Sequence, residues 1–203
     1  MNNAIGVDYT DNGLWTPQTR MLNEIKQWII VNDFVSDNIL SIDNNPDIDK
    51  MLLLKSPGAK ISKAIYPSDD AQNLYKIKDE EFDVVYSHQV LEHIPKPWIA
   101  AKEMVRVLKK GGVGIHTTCA FNPRHGLPEF NDYYRFLPDG LEQLFDGVEV
   151  IIKDEWGNKE ALIYNLAIND GYGALGGRRF NKIIGERNDG LYPWVTWIIF
   201  RKY

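Results

Sequence analysis

The side chains with chemistry to offer fall into a few groups along the chain. His88, Glu92 and His93 follow the apolar run Phe82 to Tyr86. Two histidines five apart, with no His-Glu-x-x-His pattern, do not have zinc spacing, so no metal is expected from them. Capping the neighbouring helix or orienting the loop is the expectation for Glu92 and His93, because polar groups at strand ends satisfy backbone first. His116, Thr117, Thr118 and Cys119 close the next apolar run. A Cys119–His125 nucleophile pair is chemically conceivable, but nothing in the spacing requires it, and Cys119 reads as a small buried apolar residue. The segment Asn122, Pro123, Arg124, His125, Gly126 and then Asn131, Asp132, Tyr133, Tyr134, Arg135 joins a base, a carboxylate, two phenols and two guanidiniums. It suits a substrate-facing wall, or equally a self-satisfied network in which Arg135 pairs with Asp132. Two acidic loops remain. Asp43, Asn44, Asn45 and Asp47, and further on Asp69 and Asp70, suit either hydrogen bonds from a diol such as ribose or the capping of helices.

The surrounding pattern says what must position these groups. Met21, Ile25, Trp28 and Ile29 recur at helical spacing, predicting an N-terminal helix from Thr16 as cap and Pro17 to about Val31, within 16–33. Residues 1–15 read as a strand-like fragment and a turn. Asn38 to Ile42 predicts a strand, Asp47 to Lys55 a helix and Lys60 to Tyr66 a second strand. Phe82 to Tyr86 predicts a strand buried on both faces, followed by a helix opening at Pro95 and Pro97 and ended by Gly111 and Gly112. Val113 to Thr118, Val148 to Lys153 and Trp194 to Phe200 read as further strands, and Pro138 to Phe145 as a helix. This alternation predicts an α/β fold with a mostly parallel sheet and right-handed crossovers. The glycine-rich stretch 155–191 stands out as an insertion before the last strand, with Leu162 to Leu166 a short helix inside it.

Bulk properties narrow the class. The 203 residues suit one domain over 1–203, and 44% hydrophobic with 25% charged residues is a globular composition. A net charge of -5 disfavours a general grip on nucleic acid, and Arg178, Arg179, Lys182 and Arg187 read as solvated surface charge, with the grip of one of them on an anionic substrate as the alternative. No apolar run approaches bilayer length, no signal or transit peptide is indicated, and the single cysteine suits a reducing compartment, so a cytoplasmic protein is expected. Trp156, Tyr192, Trp194 and Trp197 either cover the last strands or furnish a homodimer interface.

Taken together, Glu81 to Ile94 resembles the fourth-strand motif of class I S-adenosylmethionine-dependent methyltransferases, in particular those of type 11, and Glu103 to Gly112 resembles the helix and turn that follow it. Asp69-Asp70-Ala71-Gln72-Asn73-Leu74 resembles the family's acidic third-strand loop, and Pro128 to Phe145 its post-fifth-strand region in members acting on small or sugar-linked substrates. The resemblance spans about residues 36 to 155. It implies a Rossmann-like three-layer sandwich with a C-terminal antiparallel strand. It also implies S-adenosylmethionine as cofactor, held by Asp43, Asp70, Ala71 and His88, with His125 or His116 as base and Tyr134 and Arg135 positioning a small-molecule or glycan-like acceptor.

One departure opens alternatives. The family's first strand leads into a Gly-x-Gly loop, whereas Ile42-Asp43-Asn44-Asn45-Pro46 has no glycine. A non-catalytic binding or scaffold protein that kept the fold and lost the cofactor is therefore the second reading, and a hydrolase or glycan-modifying enzyme on the same sheet a third.

Overall fold

The computed structural model describes residues 17–43, 45–126, 130–168 and 182–203. The expected strand-like fragment at 1–15, the cap Thr16, and Arg178 and Arg179 lie outside the described residues.

The amphipathic pattern forms α1, Pro17–Val31, whose Met21, Ile25 and Ile29 are fully buried. Strand β1, Asn38–Ile42, leads to α2, Pro46–Lys55, and then to β2, Lys60–Ala64, which stops two residues short of Tyr66. Strand β3, Phe82–His88, is buried along its whole length, as expected for a strand covered on both faces. It is followed by the single 3-10 turn η1, Leu91–His93, and by α3, Pro97–Val107.

The glycines after α3 act differently from the expectation. The helix ends at Val107, and Leu108 is already extended, so Lys109 to Gly112 belong to β4, Leu108–Cys119. The pairing of Phe82 with Leu108 and the register shift before Val84 accommodate the turn at Gly111, whose φ is +74°. Later come α4, Pro138–Glu142, shorter than expected, β5, Val148–Trp156, α5, Lys159–Ile168, α6, Lys182–Gly185, and β6, Val195–Lys202.

The six strands form one sheet in the order β2-β1-β3-β4-β6-β5. The first three pairings are parallel, and β6 runs antiparallel to both neighbours. One face packs on α1 and α2 through Ile25, Ile29, Ile48 and Leu52; the other packs on α3 and α4 through Ala101, Met104 and Leu141. That is the mostly parallel three-layer arrangement expected. Its consequence is positional: the carboxyl ends of β1, β2, β3 and β4 open on one edge, where such sheets bind ligands. No helix among the described residues is long and apolar enough to cross a membrane.

Candidate functional site

At the end of β1, Asp43 takes φ +82°, a left-handed backbone that costs an L-residue roughly 1–2 kcal/mol and that glycine adopts freely. The chain thus keeps a glycine's conformation there without the glycine. Asp43 N–H donates to the Ala64 carbonyl at 3.1 Å, tying β1 to β2. Its carboxylate has no partner among the described residues; the residue is exposed, yet neighbouring protein strips part of the carboxylate's hydration and so raises its pKa.

Two residues on, Asn45 settles the capping question. Its Oδ1 accepts from the Asp47 and Ile48 amides at 3.0 and 3.1 Å, with Pro46 at the first helical position. Behind this loop, Ser41 Oγ donates to the Tyr86 hydroxyl at 2.8 Å, and Tyr86 in turn bonds the buried Asp49 carboxylate. Burial and Asp49 push the Tyr86 pKa up. Sequence reasoning did not single out Tyr86 or Asp49; their contact spans 37 residues and leaves no local pattern.

Asp70 lies in the loop after β2, where its Oδ1 accepts from the Gln72 amide at 2.8 Å. Arg106 anchors this loop on α3, donating to the Leu74 and Ile77 carbonyls and to Glu103, while Glu103 accepts from the Leu74 amide at 2.9 Å. Ala71 is buried beside Asp70. Asp69 faces Lys76 at 3.0 Å on the surface.

His88 ends β3 inside the protein. Its Nδ1 lies 3.0 Å from Thr117 Oγ1 and its Nε2 3.0 Å from the Gln18 amide nitrogen, and burial lowers its pKa to about 4. The ring is therefore neutral, holding α1 to the sheet edge. Gln18 is a contact that sequence reasoning missed, since it crosses 70 residues. Gln89, at φ +55°, turns the chain out of the strand.

The expected base His116 occupies a different environment. It is fully buried in β4, stacked on Phe145 at 4.8 Å and Phe200 at 5.4 Å, with Nδ1 2.8 Å from Ser87 Oγ. Burial lowers its pKa to about 3, so it stays neutral and sealed from the edge. Gly114 makes room for that packing, because a Cβ there would lie 2.2 Å from the Phe200 ring.

His125, Tyr134 and Arg135 do come together. Arg135 donates to Asp132 at 2.5 and 2.6 Å, to the Pro123 carbonyl at 2.7 Å and to the Asn122 carbonyl at 2.9 Å. Burial works to raise the Asp132 pKa, but Arg135 and the His125 amide outweigh it and hold the carboxyl below its ordinary range. The Arg135–Asp132 network foreseen as one alternative is thus present. His125 Nδ1 lies 3.1 Å from the Pro123 carbonyl, and its ring sits edge-on to His93 at 4.9 Å. Tyr134 donates its hydroxyl to the Pro95 carbonyl at 2.9 Å. The Tyr133 and Tyr134 amides both donate to the Glu92 carbonyl, pinning the loop over η1. Glu92 is fully buried, and burial raises its pKa to about 7. The sheet edge therefore carries two sets of polar groups: Asp43, Asp70 and His88 at the ends of β1, β2 and β3, and His125, Tyr134 and Arg135 on the β4 side.

Residues 23–115 match the family model described as a methyltransferase domain. No curated protein matches the chain. Among solved structures, a coclaurine N-methyltransferase bound to N-methylheliamine and SAH aligns with TM-score 0.57 at 10% identity, covering 100% of this chain and 75% of that one. An S-adenosylmethionine-dependent methyltransferase from Clostridium acetobutylicum aligns with TM-score 0.51 at 12% identity, covering 97% and 93%. Another from Mesorhizobium loti aligns with TM-score 0.51 at 8% identity, covering 92% and 98%. At these identities the structures speak to the fold alone.

Proposed function

We propose, from the premise that residues 23–115 carry a methyltransferase domain of the class I type, that this chain transfers a methyl group from S-adenosylmethionine to a small-molecule or glycan-like acceptor. The observation that carries the reading is Asp43: a glycine-like backbone at the β1 end with a carboxylate that has no partner among the described residues, at the ligand-binding edge. A carboxylate there accepts hydrogen bonds from ribose hydroxyls or an ammonium group, so the donor set fits the cofactor. Asp70, with Ala71 beside it, and the backbone around His88 complete the holding set. Because His88 is neutral and held at both nitrogens, it acts by fixing backbone rather than by moving protons.

The cofactor, when bound, supplies an electrophilic methyl on a sulfonium. The chain's work is to hold the acceptor in line and manage its proton. His125 is the histidine on the β4 side that reaches the edge, and it takes the acceptor proton. Arg135 positions the loop through Asp132, and Tyr134 fixes it on the Pro95 carbonyl.

The capping of α2 by Asn45 favours a second reading, a cofactor-free scaffold. It occupies amides that a glycine-rich loop leaves for the ligand. Incubation with methyl-labelled S-adenosylmethionine and a panel of hydroxyl- and amine-bearing metabolites and glycans separates the two. Acceptor-dependent formation of S-adenosylhomocysteine is the expected result. Failure to bind S-adenosylmethionine or its demethylated product would leave the scaffold reading.

A further inference from the structure

The β4 side of the edge contains two buried groups that methyl transfer does not use, Glu92 and Cys119, beside His125. Glu92 is fully buried; Thr118 Oγ1 donates to its Oε2 at 2.8 Å, while Oε1 makes no well-formed hydrogen bond among the described residues. The Cys119 thiol, a weak donor, is turned to the carboxylate. A buried carboxylate oxygen left without a full donor costs about 1–3 kcal/mol, so such an atom calls for an explanation. Around it stand the Cys119 thiol and a ring nitrogen of His125, and the three candidate ligand atoms all lie within 4.8 Å of one another.

We propose that Glu92, Cys119 and His125 bind a divalent transition-metal ion of the zinc class, with water completing the tetrahedron. The inference goes beyond methyl transfer and does not depend on it. Donor chemistry selects the ion, since a carboxylate oxygen, an imidazole nitrogen and a thiolate suit zinc, whereas magnesium and calcium take oxygen ligands. Three ligands plus an open position is the pattern of reactive rather than purely structural zinc sites. Movements of under about 1 Å bring three atoms at this spacing to ordinary zinc distances.

The ligands are also held as ligands need to be. The Thr118 hydroxyl fixes the far carboxylate oxygen of Glu92, and the Pro123 carbonyl lies 3.1 Å from His125 Nδ1. Arg135 Nη2 sits 3.3 Å from that same nitrogen, but it already donates to Pro123 and Asp132 at 2.7 and 2.6 Å, which uses both its hydrogens. Nδ1 therefore carries the proton shared with Pro123, and Nε2 keeps the lone pair. The Phe136 amide donates to the Cys119 carbonyl and the Tyr133 amide to the Glu92 carbonyl, so two ligands sit on fixed backbone.

Charge points the same way. The groups facing the cluster are Arg135, Asp132 and His93. Arg135 and Asp132 neutralise each other, so the two charges of the ion are met by the Glu92 carboxylate and by Cys119, which gives up its proton on binding. A second grouping, His93, His125 and Asp132, lies alongside. It is the weaker one, because both Asp132 oxygens are engaged by Arg135 and one also accepts the His125 amide at 2.7 Å. With the ion bound, His125 serves as a ligand.

The test is stripping the intact protein with a chelator, then titrating zinc against a chromophoric competitor and, separately, adding cobalt. The expected results are one equivalent of zinc bound and a near-ultraviolet thiolate-to-cobalt band. Cys119→Ala should remove that band and weaken zinc at least roughly tenfold, and Glu92→Gln should weaken zinc similarly. Circular dichroism melting checks folding. Where Glu92→Gln does not fold, Cys119→Ala, a change between small buried residues, decides alone. Absence of saturable zinc binding below about 100 µM by folded protein overturns the site. So does zinc binding that Cys119→Ala leaves unchanged, which would place the ion on the neighbouring grouping or the surface.

Discussion

The carboxyl end of β1 and the carboxyl end of β4 solve the same problem in opposite ways. At β1, polar groups close on one another: Asn45 caps α2, Ser41, Tyr86 and Asp49 form a hydrogen-bonded chain, and the Asp43 carboxylate is left facing solvent. At β4, the pairing is strong at the rim, in Arg135 and Asp132, and incomplete inside, where a Glu92 oxygen is left over. The difference teaches where selectivity for a ligand is stored. An open carboxylate on a strained backbone suits a polar cofactor that supplies its own donors; a buried, under-satisfied oxygen suits a compact cation. Strand β4 repeats the contrast, since His116 is sealed under aromatic rings while His125, in the loop that follows, reaches the edge.

The comparison can be broken or sharpened by substitution. The largest effect is expected from Arg135→Ala, which strands the almost fully buried Asp132 side chain, at 2% exposure. Losing one partner of such a pair costs about 3–5 kcal/mol, read by urea denaturation. A loss below about 1 kcal/mol would show the rim pairing to be solvated surface chemistry instead.

The next effect is in acid. With its folded pKa near 3 against an ordinary 6.5, His116 contributes stability fully present above pH 6.5 and lost as pH falls through about 3. His88, near 4, adds to the same loss over a narrower range. His116→Phe should flatten the decline between pH 6.5 and 4 by about 3 kcal/mol. An unchanged slope, measured as denaturation midpoints against pH, would mean that the ring is not held neutral.

Smaller still is Asn45→Ala. Removing the cap should lower stability by about 1 kcal/mol in the same assay. If the freed amides serve the cofactor, binding will tighten; if they play no part, affinity will not move. The smallest effect belongs to Asp43→Gly, which relieves the left-handed strain but adds freedom to the unfolded chain, so it should raise stability by under about 1 kcal/mol. A loss of stability would show that the Asp43 side chain supports the loop through contacts beyond its backbone.

Much of this was legible in the residues. β1 and the burial of β3 follow from short apolar runs, although β3 runs two residues past Tyr86 to His88, and the edge position of Asp43, Asp70 and His125 follows from the strand and loop order. The pairing of Arg135 with Asp132 is local and was foreseen as one of two outcomes. What was not legible depended on distant partners or on conformation. Phe145 and Phe200 seal His116 from far along the chain. Gly111 and Gly112 look like a helix stop, yet the strand begins before them at Leu108. The missing glycine at Asp43 looks like a missing conformation, yet the backbone there is the one a glycine takes. Glu92 reads as a cap in sequence, and only its burial without a full set of donors makes it a ligand candidate.

The central claim is that the β1 end still binds the cofactor without its glycines. Calorimetric titration of the intact chain with S-adenosylmethionine, alongside Asp43→Gly, tests it most directly. Saturable heat is expected in the parent, displaced by S-adenosylhomocysteine, with affinity at least roughly tenfold weaker in the more stable Asp43→Gly protein. No heat at millimolar ligand from folded protein, or equal affinity in both proteins, would contradict it.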